Sequence, residues 1–284
     1  MRFGTSFALA AMADAAAVRD FAQALDGAGF DYVTLSGHLL SAEAGRYPDR
    51  PAPTYVGPFH EPFVLFSYLA GITRRLAFRT SILILPLFPT AIVAKQAAEL
   101  SLLSGGRFEL GVGLSWNPAE YQAIGQEFRT RGRRIAEQIT LLRRLWSEPF
   151  VSFKGRWHTF NQVGLNRLPA APIPIWMGGG NDEPVLRRIA RLADGWVPLA
   201  DPTEALPRLR TYLSEAGRDP AHFGLTARLV LGPEGAPGWI ETARRLQSSG
   251  WTDLTLSAPP DLPSAQALPR LIEARTALAE ALNG

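Results

Sequence analysis

Few groups in this chain can exchange a proton near neutral pH. Histidine occurs only at His38, His60, His158 and His222, and no two stand at a metal-ligand spacing such as i, i+4, so a structural zinc site is not indicated. Cysteine is absent. That excludes disulfides, thiol nucleophiles and thiolate metal sites, and it fits a reducing compartment, so a cytoplasmic location is expected. His38 closes the run Ser36-Gly37-His38, directly after a strand-like stretch. A histidine there can give or take a proton during a reaction, or it can simply bond a loop carbonyl.

Three other stretches carry residue types suited to holding a ligand. Thr80-Ser81-Ile82 lies inside an apolar strand upstream of Pro86 and Pro89, and a proline cannot donate to the ladder, so that strand must end or bulge. Gly111-Val112-Gly113-Leu114-Ser115-Trp116-Asn117-Pro118 places two glycines at a strand end. They allow close approach of a planar ligand or unusual dihedrals, or they mark tight packing between strands. Met177-Gly178-Gly179-Gly180-Asn181-Asp182 sits before a helix, where exposed backbone N–H groups suit a phosphate or another anionic tail. The phosphate loop GxxxxGK[ST], a GxGxxG in dinucleotide-fold context, the GxSxG elbow and the HExxH helix do not occur.

These stretches need elements to position them. Strand-like and helical runs alternate along the whole chain, the signature of a parallel sheet with crossover helices. Strands are expected over 2–8, 31–35, 77–85, 107–113, 173–177, 195–198, 223–231 and 253–257. Helices are expected over 14–28, 63–73, 91–103, 130–146, 183–192, 203–216, 237–249 and 264–282. Asp14 is a candidate N-cap and Gly29 a candidate helix stop. Ile135, Ile139, Leu142 and Trp146 fall on one helical stripe. Residues 149–171 break the alternation and read as a hairpin insertion, and 36–62 form a Pro- and Gly-rich loop long enough to imply a functional or lid role. Eight βα units without a linker indicate one α/β domain over 1–284, a single (β/α)8 TIM barrel with a hairpin insertion and a long loop after strand 2. In that fold ligands bind at the C-terminal ends of the strands. The competing arrangement is an open doubly wound sheet with a second domain.

Composition narrows the partners. The net charge is +3, from 29 Lys+Arg against 26 Asp+Glu, and Lys95 and Lys154 are the only lysines. The run Arg129-Thr130-Arg131-Gly132-Arg133-Arg134 has no wider basic stripe around it, so it reads as a solvated helix start and no nucleic-acid partner is expected. The longest apolar run, 82–88, is too short to span a bilayer, and the N-terminus lacks the pattern of a signal peptide, so no membrane role is expected.

The order and spacing of several blocks resemble the bacterial luciferase-like oxidoreductases, especially their deazaflavin (coenzyme F-420) dependent branch. The blocks are Ala94-Lys95-Gln96-Ala97-Ala98, Leu103-Ser104-Gly105-Gly106-Arg107-Phe108, Leu110-Gly111-Val112-Gly113, Trp116, Glu120-Tyr121, Arg131-Gly132-Arg133-Arg134 and Leu141-Leu142-Arg143-Arg144-Leu145-Trp146. Ala28-Gly29-Phe30-Asp31-Tyr32-Val33, Pro174-Ile175-Trp176-Met177-Gly178-Gly179-Gly180 and Leu192-Ala193-Asp194-Gly195-Trp196 add to them. The likeness covers residues 1 to about 200, and the remainder by fold alone.

This resemblance implies a flavin-type cofactor, deazaflavin F-420 or alternatively FMN. It implies a non-proline cis bond between Ser81 and Ile82 behind the ring, Leu114 and Ser115 beside the ring, and Gly178, Gly179, Gly180 and Asn181 along the tail. Leu199 and Ala200 are further tail candidates, and His38 is the implied acid–base residue. Two positions depart from the family pattern. Gly37 stands where relatives have Asp, and Trp116 replaces the glutamate that serves as proton donor in a sugar-phosphate dehydrogenase relative. The expected reaction is hydride transfer to or from a small organic substrate, held by Trp116, Tyr55 and Trp157, with Tyr47 and Phe59 as further aromatic walls. The alternatives are an FMN-dependent monooxygenase and a non-catalytic flavin-binding barrel. The family also implies a homodimer.

Overall fold

A computed structural model describes residues 1–7, 14–41, 59–260 and 262–283. Tyr47, Tyr55 and most of the long loop lie outside these. The chain opens with β1 (Arg2–Ser6), α1 (Ala15–Gly27), β2 (Tyr32–Gly37), α2 (Pro62–Ala70), β3 (Ala77–Leu83), α3 (Thr90–Leu103) and β4 (Phe108–Val112). It continues with α4 (Pro118–Ala123), α5 (Arg131–Ser147), β5 (Val151–Lys154), β6 (Thr159–Val163), β7 (Ile175–Gly179) and α6 (Glu183–Leu192). The last third holds β8 (Gly195–Pro198), α7 (Ala205–Glu215), β9 (Gly224–Val230), α8 (Gly235–Ser248), β10 (Asp253–Ser257) and α9 (Ser264–Asn283).

Eight strands close into a parallel barrel in the order β1-β10-β9-β8-β7-β4-β3-β2, while β5 and β6 form a separate antiparallel hairpin. The expected barrel and its hairpin insertion are both present, and the open-sheet alternative is not. Local signals act as anticipated in α1, where the Asp14 side chain accepts the Ala17 N–H and Gly29 takes φ +76° just past the helix. The stripe of α5 is buried as its spacing requires, with Ile135, Ile139 and Leu142 all fully covered. Three elements differ from expectation. β3 ends at Leu83, and Leu85–Leu87 form a single 3-10 turn with Pro86 inside it. The short helix α4 fills a stretch expected to be loop. β7 runs two residues further than its apolar run suggests, so Gly178 and Gly179 belong to the ladder, paired with Val197 and Pro198.

Inward-facing side chains fill the lower half of the barrel with a charged layer. Arg79 donates to Glu109 Oε2 at 2.6 Å, to Asp253 Oδ1 at 2.6 Å and to Thr226 Oγ1 at 2.9 Å. Its guanidinium carbon lies 3.7 Å from the Trp176 ring centre and 4.3 Å from that of Tyr32. Arg2 reaches Glu109 Oε1 at 2.7 Å and Asp253 Oδ1 at 3.5 Å. Two cations and two anions thus balance. Burial alone would raise Glu109, yet Arg79 and Arg2 hold it below the usual carboxylate range. The wall is least continuous between β8 and β9, which pair only at Gly195–Gly224 and Trp196–Leu225. No helix among the described residues is long and apolar enough to cross a membrane.

Candidate active site

The C-terminal end of β3 carries the most unusual backbone. The Ser81–Ile82 peptide bond is cis, as the resemblance implies, and the pairing of β3 with β4 shifts register between Arg79 and Leu83. Thr80 covers the shift, since its hydroxyl accepts the Gly111 N–H at 2.8 Å and donates to the Gly111 carbonyl at 2.6 Å. The Ile82 side chain then lies across the ends of β4 and β7. A Cβ at Gly113 would stand 1.8 Å from Ile82 Cδ1, and one at Gly178 would stand 2.8 Å from Ile82 Cγ2. A Cβ at Gly111 would stand 1.8 Å from the Thr80 carbonyl oxygen. Of the two readings of the paired glycines, tight strand packing accounts for both.

The same geometry corrects the expected glycine loop before α6. Gly178 makes room for Ile82, and a Cβ at Gly179 would come within 2.5 Å of Val185 on α6. The Gly179 carbonyl accepts Leu199 N–H at 3.1 Å and Trp196 Nε1–H at 3.2 Å. Gly180 has open space, its nearest neighbour being Asp182 Oδ2 at 3.9 Å. Asn181 donates through Nδ2 to the Asp201 carbonyl at 2.6 Å, while its Oδ1 is buried with no partner among the described residues.

His38 stands just beyond β2, and α4 supplies its partner. Nδ1 lies 2.8 Å from Glu120 Oε2, and the other Glu120 oxygen accepts the N–H groups of Leu39 at 2.9 Å and Leu40 at 3.3 Å. Glu120 is 1% exposed. With backbone donors on one oxygen, its carboxylate fixes both the ring orientation and the Nδ1–H tautomer of His38. α4 is set in place by the Asn117 cap, which accepts the Ala119 N–H at 3.0 Å. Ser115, at φ +57°, accepts the Asn117 N–H at 3.1 Å, turning the chain between β4 and α4. Tyr121 donates to the Leu114 carbonyl at 2.7 Å, and burial pushes its hydroxyl well above the ordinary value.

A cavity of about 1260 Å³ opens at the barrel mouth. Ser81, Leu199 and Ala200 line it, together with Ser6, Thr34 and Ser257 from β1, β2 and β10. His38, Leu114, Ser115, Trp116, Gly180 and Asn181 follow strand ends on the same face and are not part of this wall. Trp157 belongs to the tip of the β5–β6 hairpin. Its N–H donates to Glu137 Oε1 at 2.9 Å, and His158 bridges Glu137 at 2.7 Å and Thr90 at 2.7 Å, clamping the hairpin to α5 and α3. Burial raises Glu137, but His158 and the N–H groups of Trp157 and Arg156 bring it below the ordinary carboxylate value. The structure therefore does not place Trp157 at the cavity. Phe59 is half-buried beside residues outside the described set.

Three contributors went unassigned in the sequence. Glu120 appears there only within a motif, and its signal is an acid on the short helix that follows a site loop. Arg79 and Ser81 in β3, and Thr226 and Arg228 in β9, are polar residues two apart, the spacing of side chains pointing into a barrel.

Comparison with known proteins follows the fold. Residues 1–233 match the family model described as luciferase-like monooxygenase. An uncharacterised protein of Mycobacterium tuberculosis is 34% identical over 251 residues, covering 86% of this chain and 85% of its own. An F-420-dependent glucose-6-phosphate dehydrogenase of Kineococcus radiotolerans is 28% identical over 84% of this chain and 69% of its own length. Among solved structures, an F-420-dependent secondary alcohol dehydrogenase bound to an F-420–acetone adduct superposes with a TM-score of 0.77 at 16% identity, over 98% of both chains. A monooxygenase from Streptomyces bottropensis superposes with a TM-score of 0.72 at 20% identity, over 100% of this chain and 99% of its own.

Proposed function

Because the chain belongs to the luciferase-like monooxygenase family and is an oxidoreductase, we propose that it uses a deazaflavin, coenzyme F-420, to move hydride to or from a small organic substrate at the barrel mouth. The observation that carries this reading is the His38–Glu120 pair, set at the C-terminal ends of the strands beside the β3 bulge. The relatives named as F-420-dependent dehydrogenases support the choice of cofactor.

The residues present fit such a group. The cavity exceeds the roughly 300–1,000 Å³ typical of small-molecule sites, which suits a ring system with a tail. The unpartnered Asn181 Oδ1 is an acceptor matched to a hydroxyl donor on that tail. Ser81, Leu199 and Ala200 line the cavity and would border the cofactor there, while Ile82, Leu114, Ser115, Gly180 and Asn181 lie outside its wall and would meet the ring and tail only beyond it. Gly178 and Gly179 keep their ladder roles. The bound cofactor supplies the hydride chemistry. Glu120 holds the His38 ring in place, and His38 is the group that would exchange a proton with the substrate. Trp116 has no group to transfer a proton and does not line the cavity.

We further assign a homodimer built on the outer faces of α2 and α3, where Val64 is 71% exposed, Ile92 51% and Leu103 72%. Sedimentation velocity checks this: the double substitution Val64→Asp, Leu103→Asp should halve the mass, and an unchanged mass moves the interface elsewhere. The absence of cysteine supports a cytoplasmic location.

Titration of the purified protein with F-420 and with FMN, followed by each cofactor's fluorescence, tests the central reading. Saturable F-420 binding and turnover on a carbonyl panel are expected. FMN binding with oxygen consumption in the presence of a flavin reductase would replace it with the monooxygenase reading. Retained cofactor without turnover on any substrate would make the chain a flavin-binding barrel.

A further inference from the structure

We infer that the substrate carries a small anionic group, a carboxylate or a phosphate, and that Arg228 is the residue that recognises it. This rests on the reading of the barrel mouth as the substrate pocket. β9 alternates, and Thr226 is fixed as inward-facing by its contact with Arg79 inside the barrel. Arg228, two residues on, points the same way and lines the mouth cavity. It is exposed, and its one hydrogen bond among the described residues runs from Nε to Ser257 Oγ at 3.0 Å. That bond orients the guanidinium and leaves the two Nη groups, with their paired N–H donors, to a ligand.

The charge balance of the cavity supports an anion. Arg79 and Arg228 line its barrel side, Arg210 and Arg245 line it near the C-terminal ends of α7 and α8, and no carboxylate lines it among the described residues. Arg79 is neutralised from below by Glu109 and Asp253. Arg228 has no such acid among the described residues; it contacts Ser257, and the hydroxyls of Ser6, Thr34 and Ser81 line the same cavity. A guanidinium with two parallel donors matches a carboxylate or phosphate, and surrounding hydroxyls satisfy the remaining oxygens. A neutral alcohol or ketone would leave the Nη groups to solvent and gain nothing from their charge.

Isothermal titration calorimetry on the full-length protein, with and without saturating F-420, tests the assignment. The probes are hexanoate, hexyl phosphate and the neutral isostere hexanamide. At least one of the two anions should bind about 10-fold or more tighter than hexanamide, and whichever binds tighter identifies the anion class. Arg228→Gln should erase the preference and Arg228→Lys should restore part of it. Arg245→Gln, elsewhere on the same cavity wall, should leave it intact. Equal affinities in the unaltered protein, no binding of either anion, or a preference that survives Arg228→Gln would overturn the inference. So would an equal loss in Arg245→Gln, which would mean a diffuse field and no specific contact, or weakened F-420 binding in Arg228→Gln with the anion preference unchanged. A protein that prefers an anion but binds no F-420 upholds this inference and overturns the cofactor reading.

Discussion

At the scale of single residues, the proposed site holds a buried acid whose bonds run to His38, Leu39 and Leu40. Glu120 spends one oxygen on two backbone N–H groups and the other on His38, so its role is positional. Replacing it by Gln substitutes an amide for an acceptor-only group and lets the His38 tautomer vary. Glu120→Gln is expected to lower kcat about 10- to 100-fold, in line with losses at groups that orient a catalytic side chain, while F-420 affinity stays the same. Steady-state kinetics beside cofactor titration checks it, and a fall in affinity with unchanged kcat would point to a cofactor contact instead. The place of His38 after β2 was legible, because a histidine directly after a strand-like run falls at a strand end. Glu120 was not, because the contact bridges positions 38 and 120 and is made only by the three-dimensional path of α4.

At the scale of elements, β3, β4 and β7 are fastened together by one side chain. Ile82 occupies the volume that Gly113 and Gly178 leave open, so the three strand ends form a unit. Gly113→Ala should destabilise the protein by about 1–3 kcal/mol through overpacking. Ile82→Val removes the Cδ1 atom that an alanine would strike, so the double variant should recover part of the loss, with a coupling of about 0.5–3 kcal/mol in urea unfolding. Additive losses would mean that the glycines are required for another reason. This unit also explains a misplaced boundary. The strand ending in Met177-Gly178-Gly179 reads as apolar residues followed by a loop, since glycine normally punctuates strands. Here the glycines continue the ladder, and Ile82 and Val185 supply the bulk from neighbouring elements. The barrel order, the hairpin and most helix limits were legible from periodicity and caps, because those signals are local.

For the whole molecule, the charged layer sets the response to acid. Glu109 has a folded-state pKa below its ordinary value, with burial opposing the shift and Arg79 with Arg2 driving it. Such a group contributes stability that is fully present above the ordinary carboxylate pKa of about 4.3 and is lost as pH falls through the lowered value. Tm should therefore decline on acidification below about pH 4.5. Glu109→Gln should lower stability near neutral pH by about 3–5 kcal/mol, because it leaves buried arginine charge short of a partner. Its Tm should also fall less steeply with acid. A parallel decline in both proteins, followed by calorimetry across pH, would place the acid sensitivity elsewhere.

The short pairing between β8 and β9 has a further consequence. A closed barrel is only as resistant to transient opening as its least-bonded seam, and this one is held by two residue pairs below an open mouth. The backbone N–H of Ala200, beyond the last pair, should trade hydrogen for deuterium well before those of β3 and β4. A molecule lodged against Leu199 and Ala200 would slow that trade. Deuterium uptake followed by mass spectrometry would then register occupancy of the mouth by any ligand, including one that is never turned over.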